Sequence, residues 1–83
     1  MNYELTQHAR DVLQERQIHV EWMERVIARP ALVQPRPPDP ALESRLAKIP
    51  EYGDQVLRVV VNKAVVPERV ASVCFDRTMK GKL

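Results

Sequence analysis

The residues that could do chemistry in this sequence of 83 residues are histidine, aspartate and cationic side chains. Cleavage of a phosphodiester without a metal needs a base, an acid and cations that stabilise the charge of the transition state. Side chains of these types stand at His8, Arg10, Arg16, Arg45, Lys48, Arg58, Asp76 and Arg77. The sequence therefore permits phosphoryl chemistry, with Arg45, Lys48 and Arg77 as candidate phosphate or RNA contacts, but it fixes no reaction.

Arg58 is the most unusual of these candidates, because it lies in the middle of the most β-prone run of the chain. A charged side chain in an interior strand must be paired or must face an open groove. Pairing with Glu43 or Asp76 would make Arg58 structural. A groove shared with Arg45 and Lys48 would make it part of a phosphate clamp.

Several functional classes lack their signatures. Two glycines exclude a glycine-rich phosphate loop, and two histidines with one cysteine make no zinc set, so we expect no metal and no cofactor. The single Cys74 lies in an alternating apolar segment and is predicted to be a small core residue. A net charge of +2 permits RNA or DNA contact without implying it. With no signal peptide and no membrane span expected, the prediction is a cytoplasmic protein that does not contact a membrane.

The apolar periodicity predicts one domain, 1–83, in which two short helices precede several strands. Thr6 is the predicted N-cap of the first helix, and Pro30 ends the second. This pattern indicates an α+β fold of order α-α-β-β-β-β, with the helices packed on a twisted antiparallel sheet of three to four strands. The predicted bounds are helices at 6–16 and 20–28, a proline-rich connector at 35–40, and strands at 31–34, 42–49, 55–62 and 69–76.

The segment His8-Ala9-Arg10-x-x-Leu13-x-x-Arg16-x-Ile18 resembles the opening of a widespread family of small bacterial domains of unknown function. Those domains begin with His-Ala-Arg-x-x-Met-x-x-Arg-Gly-Ile, and their closing strands are similar to residues 57–61 and 70–77. The sequence departs from the motif at Leu13, where Met is usual, and at Gln17, where Gly would suit a left-handed turn.

This family is similar in fold to the RelE/ParE-like toxins of toxin–antitoxin systems. The resemblance implies two N-terminal helices on a twisted antiparallel sheet. RelE-type members cleave ribosome-bound messenger RNA and ParE-type members act on gyrase, although a shared fold does not carry activity across.

The resemblance also places His8 at the start of the first helix, where a neutral imidazole could act as a base. His8 could instead bond a backbone group or Asp76 and fix the helix on the sheet. Arg16 is expected to anchor the end of the same helix to a strand carboxylate. The candidate catalytic residues are therefore His8 and Arg58, and the candidate structural residues are Arg16 and Asp76.

Two functional hypotheses follow. The first is a toxin-like domain that contacts RNA, with RNA or a cognate antitoxin-like protein as the partner. The second is a non-enzymatic module that forms a homodimer or binds a protein by strand addition at an open sheet edge. One set of cations distinguishes the two hypotheses: Arg45, Lys48, Arg58 and Arg77. Their clustering on one concave face would favour the first hypothesis, and pairing of each with a carboxylate, beside an apolar exposed patch, would favour the second. Whether the domain is an enzyme stays open.

Overall fold

A computed structural model describes residues 2–83, which form a sheet and two helices. Two short 3₁₀ turns, Pro50–Tyr52 and Arg77–Met79, follow the third and the fifth strand. The elements in chain order are β1 (Tyr3–Leu5), α1 (Gln7–Glu15), α2 (Val20–Ala28), β2 (Leu32–Pro35), β3 (Leu42–Ile49), β4 (Gln55–Asn62) and β5 (Glu68–Phe75).

The α+β class with two helices is confirmed, but the sheet differs from the prediction. It has five strands in the order β1-β5-β4-β3-β2, and it is mixed because β1 runs parallel to β5. Apolar periodicity did not indicate β1, since three residues are too few to show alternation and its partner strand lies at the other end of the chain. The order is therefore β-α-α-β-β-β-β.

The central strand β4 has one face under the helices. Leu57, Val59 and Val61 point to this face and are fully buried, where they join Met23 and Val26 of α2 in one core. The alternate residues of β4 point to the opposite face, and there Val56 is 1% exposed. Burial on both sides explains why the sequence of β4 is apolar almost throughout.

Local backbone features fix both ends of α1. The Thr6 side chain accepts a hydrogen bond from the Ala9 amide at 3.1 Å, as the predicted N-cap should. At the other end Gln17 has a φ of 54°, in the left-handed region, so a residue that is not glycine occupies the turn. This turn brings Ile18 back into the core, where it is 6% exposed.

A tight turn joins β3 and β4 into an antiparallel hairpin, as the Pro50–Asp54 sequence predicts. Gly53 and Asp54 both have positive φ, at 65° and 57°. Neither helix of the described chain is long and apolar enough to span a membrane.

Candidate functional site

A groove of about 510 Å³ lies between α1 and the outer edge of β5. Its α1 wall consists of His8, Val12 and Arg16, which are four residues apart and so share one face of the helix. Its floor is apolar and includes Ile18 and Val73. We call this feature the α1–β5 groove; its polar and aromatic lining consists of His8, Arg16, Tyr52, Gln55, Ser72, Phe75 and Arg77.

The start of α1 is fastened to β5, which positions His8. The Thr6 amide donates to the carbonyl of Val70 at 3.0 Å, and the Thr6 hydroxyl donates to the carbonyl of Ala71 at 3.1 Å. His8 follows two residues later, and its Nε2 lies 3.4 Å from Oγ of Ser72. His8 is therefore held against a strand hydroxyl while its ring stays exposed to solvent.

Arg16 caps the C-terminal end of α1, and its side chain lines the groove. The carboxylate that was expected to anchor Arg16 is not found, because no ion pair of Arg16 occurs among residues 2–83. Arg16 is exposed at the residue that follows the last turn of α1. Its guanidinium is thus available to a ligand in the groove.

Arg77 is positioned by a network at the end of β5. The Asp76 amide donates to the carbonyl of Val56 at 2.9 Å, which extends the pairing of β5 with β4 by one residue. The Asp76 carboxylate then accepts hydrogen bonds from the Thr78 amide at 3.0 Å and the Thr78 hydroxyl at 2.6 Å. These bonds close the 3₁₀ turn that carries Arg77 to the mouth of the groove.

Arg58 supports this network from the sheet face opposite the helices. Its guanidinium pairs with the carboxylate of Asp76, with Nε at 3.2 Å, and donates to the Ser44 hydroxyl at 3.1 Å. The hydrogen bonds from Thr78, followed by those from Arg58, lower the pKa of Asp76 to about 2. Arg58 is therefore paired, and it does not line the groove that contains His8.

The clamp that would combine Arg45, Lys48 and Arg58 does not form. Alternation along β3 places Arg45 on the other face from Lys48 and Arg58, and Arg58 is paired with Asp76. Arg45 lies on the helix side, where it donates to Glu68 at 3.0 and 2.8 Å and to Glu43 at 2.7 Å. Lys48 lies on the opposite face and is exposed.

The groove is cationic because Arg16 and Arg77 line it and, among the residues that the structure describes, no aspartate or glutamate does. Arg45 holds Glu43 and Glu68, and its hydrogen bonds keep the pKa of both carboxyls below the ordinary value. Glu51 forms a bidentate pair with Arg25, which lowers its pKa to about 2. A protein of mixed charge thus presents a groove with cations alone.

An aromatic cluster forms the far end of the groove. The ring of Tyr52 lies 5.2 Å from that of Trp22 and 5.1 Å from that of Phe75, centroid to centroid. Sequence reasoning identified the turn that contains Tyr52 but did not single out its ring. The available signal was an aromatic residue at a hairpin turn, where no core requires one.

Cys74 differs from its prediction. It is exposed and lines the groove, because it lies opposite Arg58 in the pairing of β4 with β5 and so points to the sheet face opposite the core. Ser72 is the other residue of β5 that sequence reasoning missed. Within residues 2–83 no group of three or more histidine, cysteine or acidic side chains could hold a metal ion.

The fold and the groove together define a small α+β domain with an open, cationic site between a helix and a sheet edge. The chain belongs to the DUF4258 family, a domain of unknown function, and the match covers residues 5–75. No curated protein and no solved structure matches the chain.

Proposed function

We propose that this domain is a toxin-like RNA-binding module and that RNA lies in the α1–β5 groove. One observation carries the proposal: His8, Arg16 and Arg77 come from separate parts of the chain and meet in a groove without a carboxylate. The resemblance of the His8–Ile18 segment to small bacterial domains related in fold to RelE/ParE-like toxins supports RNA as the polyanion.

Guanidinium groups suit this task because their planar donors match phosphate oxygens in pairs. Arg16 and Arg77 stand on the two sides of the groove, one on the helix and one on the turn after β5. An RNA backbone that lies between them would meet a cation on each side. The contacts to Arg45 and Lys48 that the sequence suggested play no part in this arrangement.

His8 is the candidate base for cleavage in this proposal. Its imidazole accepts the proton of a ribose 2′-hydroxyl, the 2′ oxygen bonds to phosphorus, and the bond from phosphorus to the 5′ oxygen breaks. The leaving oxygen takes a proton from water, and Arg16 and Arg77 stabilise the negative charge on the phosphorane. Arg58 acts indirectly: it binds Asp76, and Asp76 in turn holds the 3₁₀ turn that carries Arg77.

The first test is tightly controlled expression in a bacterium, with growth and total RNA compared among variants. We expect arrest and RNA fragments with the wild type, and relief of both by His8→Ala or Arg77→Ala at equal soluble protein. Lys48→Ala is the matched control, because Lys48 is an exposed cation outside the groove. Normal growth with intact RNA for the wild type would overturn the cleavage step.

Binding is tested separately with purified protein and a fluorescent single-stranded RNA. Arg16→Ala and Arg77→Ala should each raise Kd about tenfold, since a charge-assisted hydrogen bond contributes about 1.5 kcal/mol or more. His8→Ala should change Kd by less than about threefold, because a base acts in the reaction rather than in binding. Equal binding by wild type and both arginine variants would contradict the proposed site.

A second candidate function rests on a different observation, the open edge of β5. β1 pairs only with Glu68–Val70, so no strand of the described chain pairs with the outer edge of Ser72–Phe75. An extended segment of an antitoxin-like protein, or a second copy of this chain, could add there as a strand.

Hydrogen exchange distinguishes this second candidate. Strand addition would slow exchange of the outward-facing amides between Ser72 and Phe75, and it would tolerate Arg16→Ala because backbone groups make the bonds. Sedimentation of the purified chain checks the homodimer. The second candidate function is excluded if the chain is a monomer and its Ser72–Phe75 amides exchange at the same rate with and without cell extract.

A further inference from the structure

We infer that the ligand of the α1–β5 groove is single-stranded RNA and that one unpaired base stacks on Tyr52. This inference rests on the proposed RNA-binding function and adds the strand state of the ligand and a specificity residue. It begins from Tyr52, which is the more exposed of the two aromatic residues that line the groove, Tyr52 and Phe75.

Tyr52 is 46% exposed, although it lies beside two other aromatic rings. Trp22 and Phe75 contact it at interplanar angles of 37° and 36°, and both are half-buried. These two rings support Tyr52 from the protein side. The remaining surface of Tyr52 lines the groove and is accessible to solvent. A flat group that stacks on it would remove this apolar surface from water.

The turn that carries Tyr52 is held in place from outside the groove. Its neighbour Glu51 accepts hydrogen bonds from Arg25 of α2 at 2.8 and 2.7 Å. Gly53 follows with a φ of 65°, which turns the chain back into β4. A ring supported by two aromatic neighbours and a fixed turn loses little freedom when a base stacks on it.

A flat ring at one end of a cationic groove is the arrangement that binds single-stranded nucleic acid. Cations hold the phosphates, and each stacked base contributes about 1–3 kcal/mol whatever its sequence. The bases of a duplex are already paired and stacked, so they cannot reach the ring without unpairing. Arg16 and Arg77 supply the phosphate contacts, and Tyr52 supplies the contact that duplex RNA cannot use.

The experiment uses the wild-type protein and a set of labelled RNA oligonucleotides, each with one abasic position, beside a hairpin duplex of equal charge. We expect one abasic position to raise Kd about 5- to 150-fold, the loss of one stacked base. Neighbouring abasic positions should have little effect, and the duplex should bind at least about tenfold more weakly than the intact single strand.

Variants then assign the lost contact to Tyr52. Tyr52→Leu should raise Kd for the intact strand by the same factor. The Tyr52→Leu protein should then bind the intact strand and the sensitive abasic oligonucleotide with the same Kd, because the ring and the base act as one contact. Tyr52→Phe should bind within about twofold of wild type. Val66→Ala is the control, because it also shortens an exposed apolar side chain but lies outside the groove.

The failures of the two proposals are distinguishable. Absence of binding to every RNA overturns the proposed function and this inference together. Binding that depends on Arg16 and Arg77 but shows no sensitive abasic position, or that accepts the duplex equally, overturns this inference alone. If Tyr52→Leu does not fold, the abasic series with wild-type protein decides the matter.

Discussion

At the scale of single residues, the interior arginines of the sheet, Arg45 and Arg58, are each paired with a carboxylate. Arg45 is held by Glu43 and Glu68, and Arg58 by Asp76. A partly buried guanidinium without a carboxylate would lose its hydration with nothing in exchange. Arg16 and Arg77 are exposed at the groove, where solvent can hydrate their guanidinium groups.

The Asp76 network gives stability a measurable dependence on pH. Its pKa is lowered from 3.8 to about 2, so its contribution to stability is complete above about pH 4 and is lost as the pH falls through about 2. We expect the difference in unfolding free energy between wild type and Asp76→Asn to shrink over this window, measured by urea unfolding from pH 5 to 2. Thr78→Ala should raise the pKa of Asp76 toward its ordinary value and so narrow the pH range over which this difference changes, since Thr78 is the main cause of the lowered pKa. A difference that stays constant with pH would show that the carboxylate is not charged through this network.

At the scale of elements, the join between α1 and α2 carries local strain. Gln17 has a left-handed φ of 54°, which costs a side-chain-bearing residue about 1–2 kcal/mol. Ile18 nevertheless enters the core directly after it. The Ile18 side chain is buried, and the Ile18 amide donates a hydrogen bond to the carbonyl of Leu13 at 3.0 Å. Together these interactions outweigh the local cost.

Gln17→Gly should therefore stabilise the protein. We expect a rise of about 0.5–1 kcal/mol in the unfolding free energy, because relief of the strain exceeds the added entropy of the unfolded chain. Gln14→Gly is the matched control: it lies within α1 and should destabilise by about 1 kcal/mol. Urea unfolding measures both, and destabilisation by Gln17→Gly would contradict the left-handed assignment.

The central position of β4 makes its helix-facing residues the least tolerant of charge. Leu57 is fully buried and belongs to the core between the sheet and the helices. Leu57→Asp should abolish soluble expression, because an unpaired carboxylate there costs more than the stability of a small domain. Lys48→Asp, at an exposed position of the neighbouring strand, should express normally. A folded Leu57→Asp protein would contradict the central-strand assignment.

At the scale of the whole molecule, charge is distributed unevenly rather than in excess. The chain has 13 cationic and 11 acidic side chains, so its net charge of +2 would not by itself select a polyanion. The ion pairs at Arg25 and Arg45 bring acidic groups together away from the groove. The groove is therefore cationic by arrangement, not by composition.

RNA binding should consequently depend on salt only moderately. Two phosphate contacts, at Arg16 and Arg77, predict a slope of about −1.4 for the logarithm of the association constant against the logarithm of salt concentration. Arg77→Ala should reduce the slope by about 0.7. Fluorescence anisotropy from 50 to 300 mM salt measures both values, and a slope near zero would mean that phosphates are not the contacts.

The sequence by itself determined the class of fold and the positions of the long elements. Their signals are local: α2, β3 and β4 occupy the residues that apolar periodicity and turn chemistry indicated, and Thr6 caps α1. The motif that begins at His8 also placed His8 and Arg16 on one helix. Such features depend on neighbours along the chain, so one sequence is enough to show them.

Only the tertiary structure decided which candidates share a site. β1 pairs with the far end of the chain, and a strand of three residues leaves no periodic signal. Strand alternation placed Arg45 and Arg58 on opposite faces, and the turn after β5 brought Arg77 to the groove instead. Cys74 was expected in the core and is exposed because the register of β5 against β4 places it beside Arg58, on the sheet face opposite the core. These outcomes depend on contacts between distant segments, and no local pattern in the sequence records them.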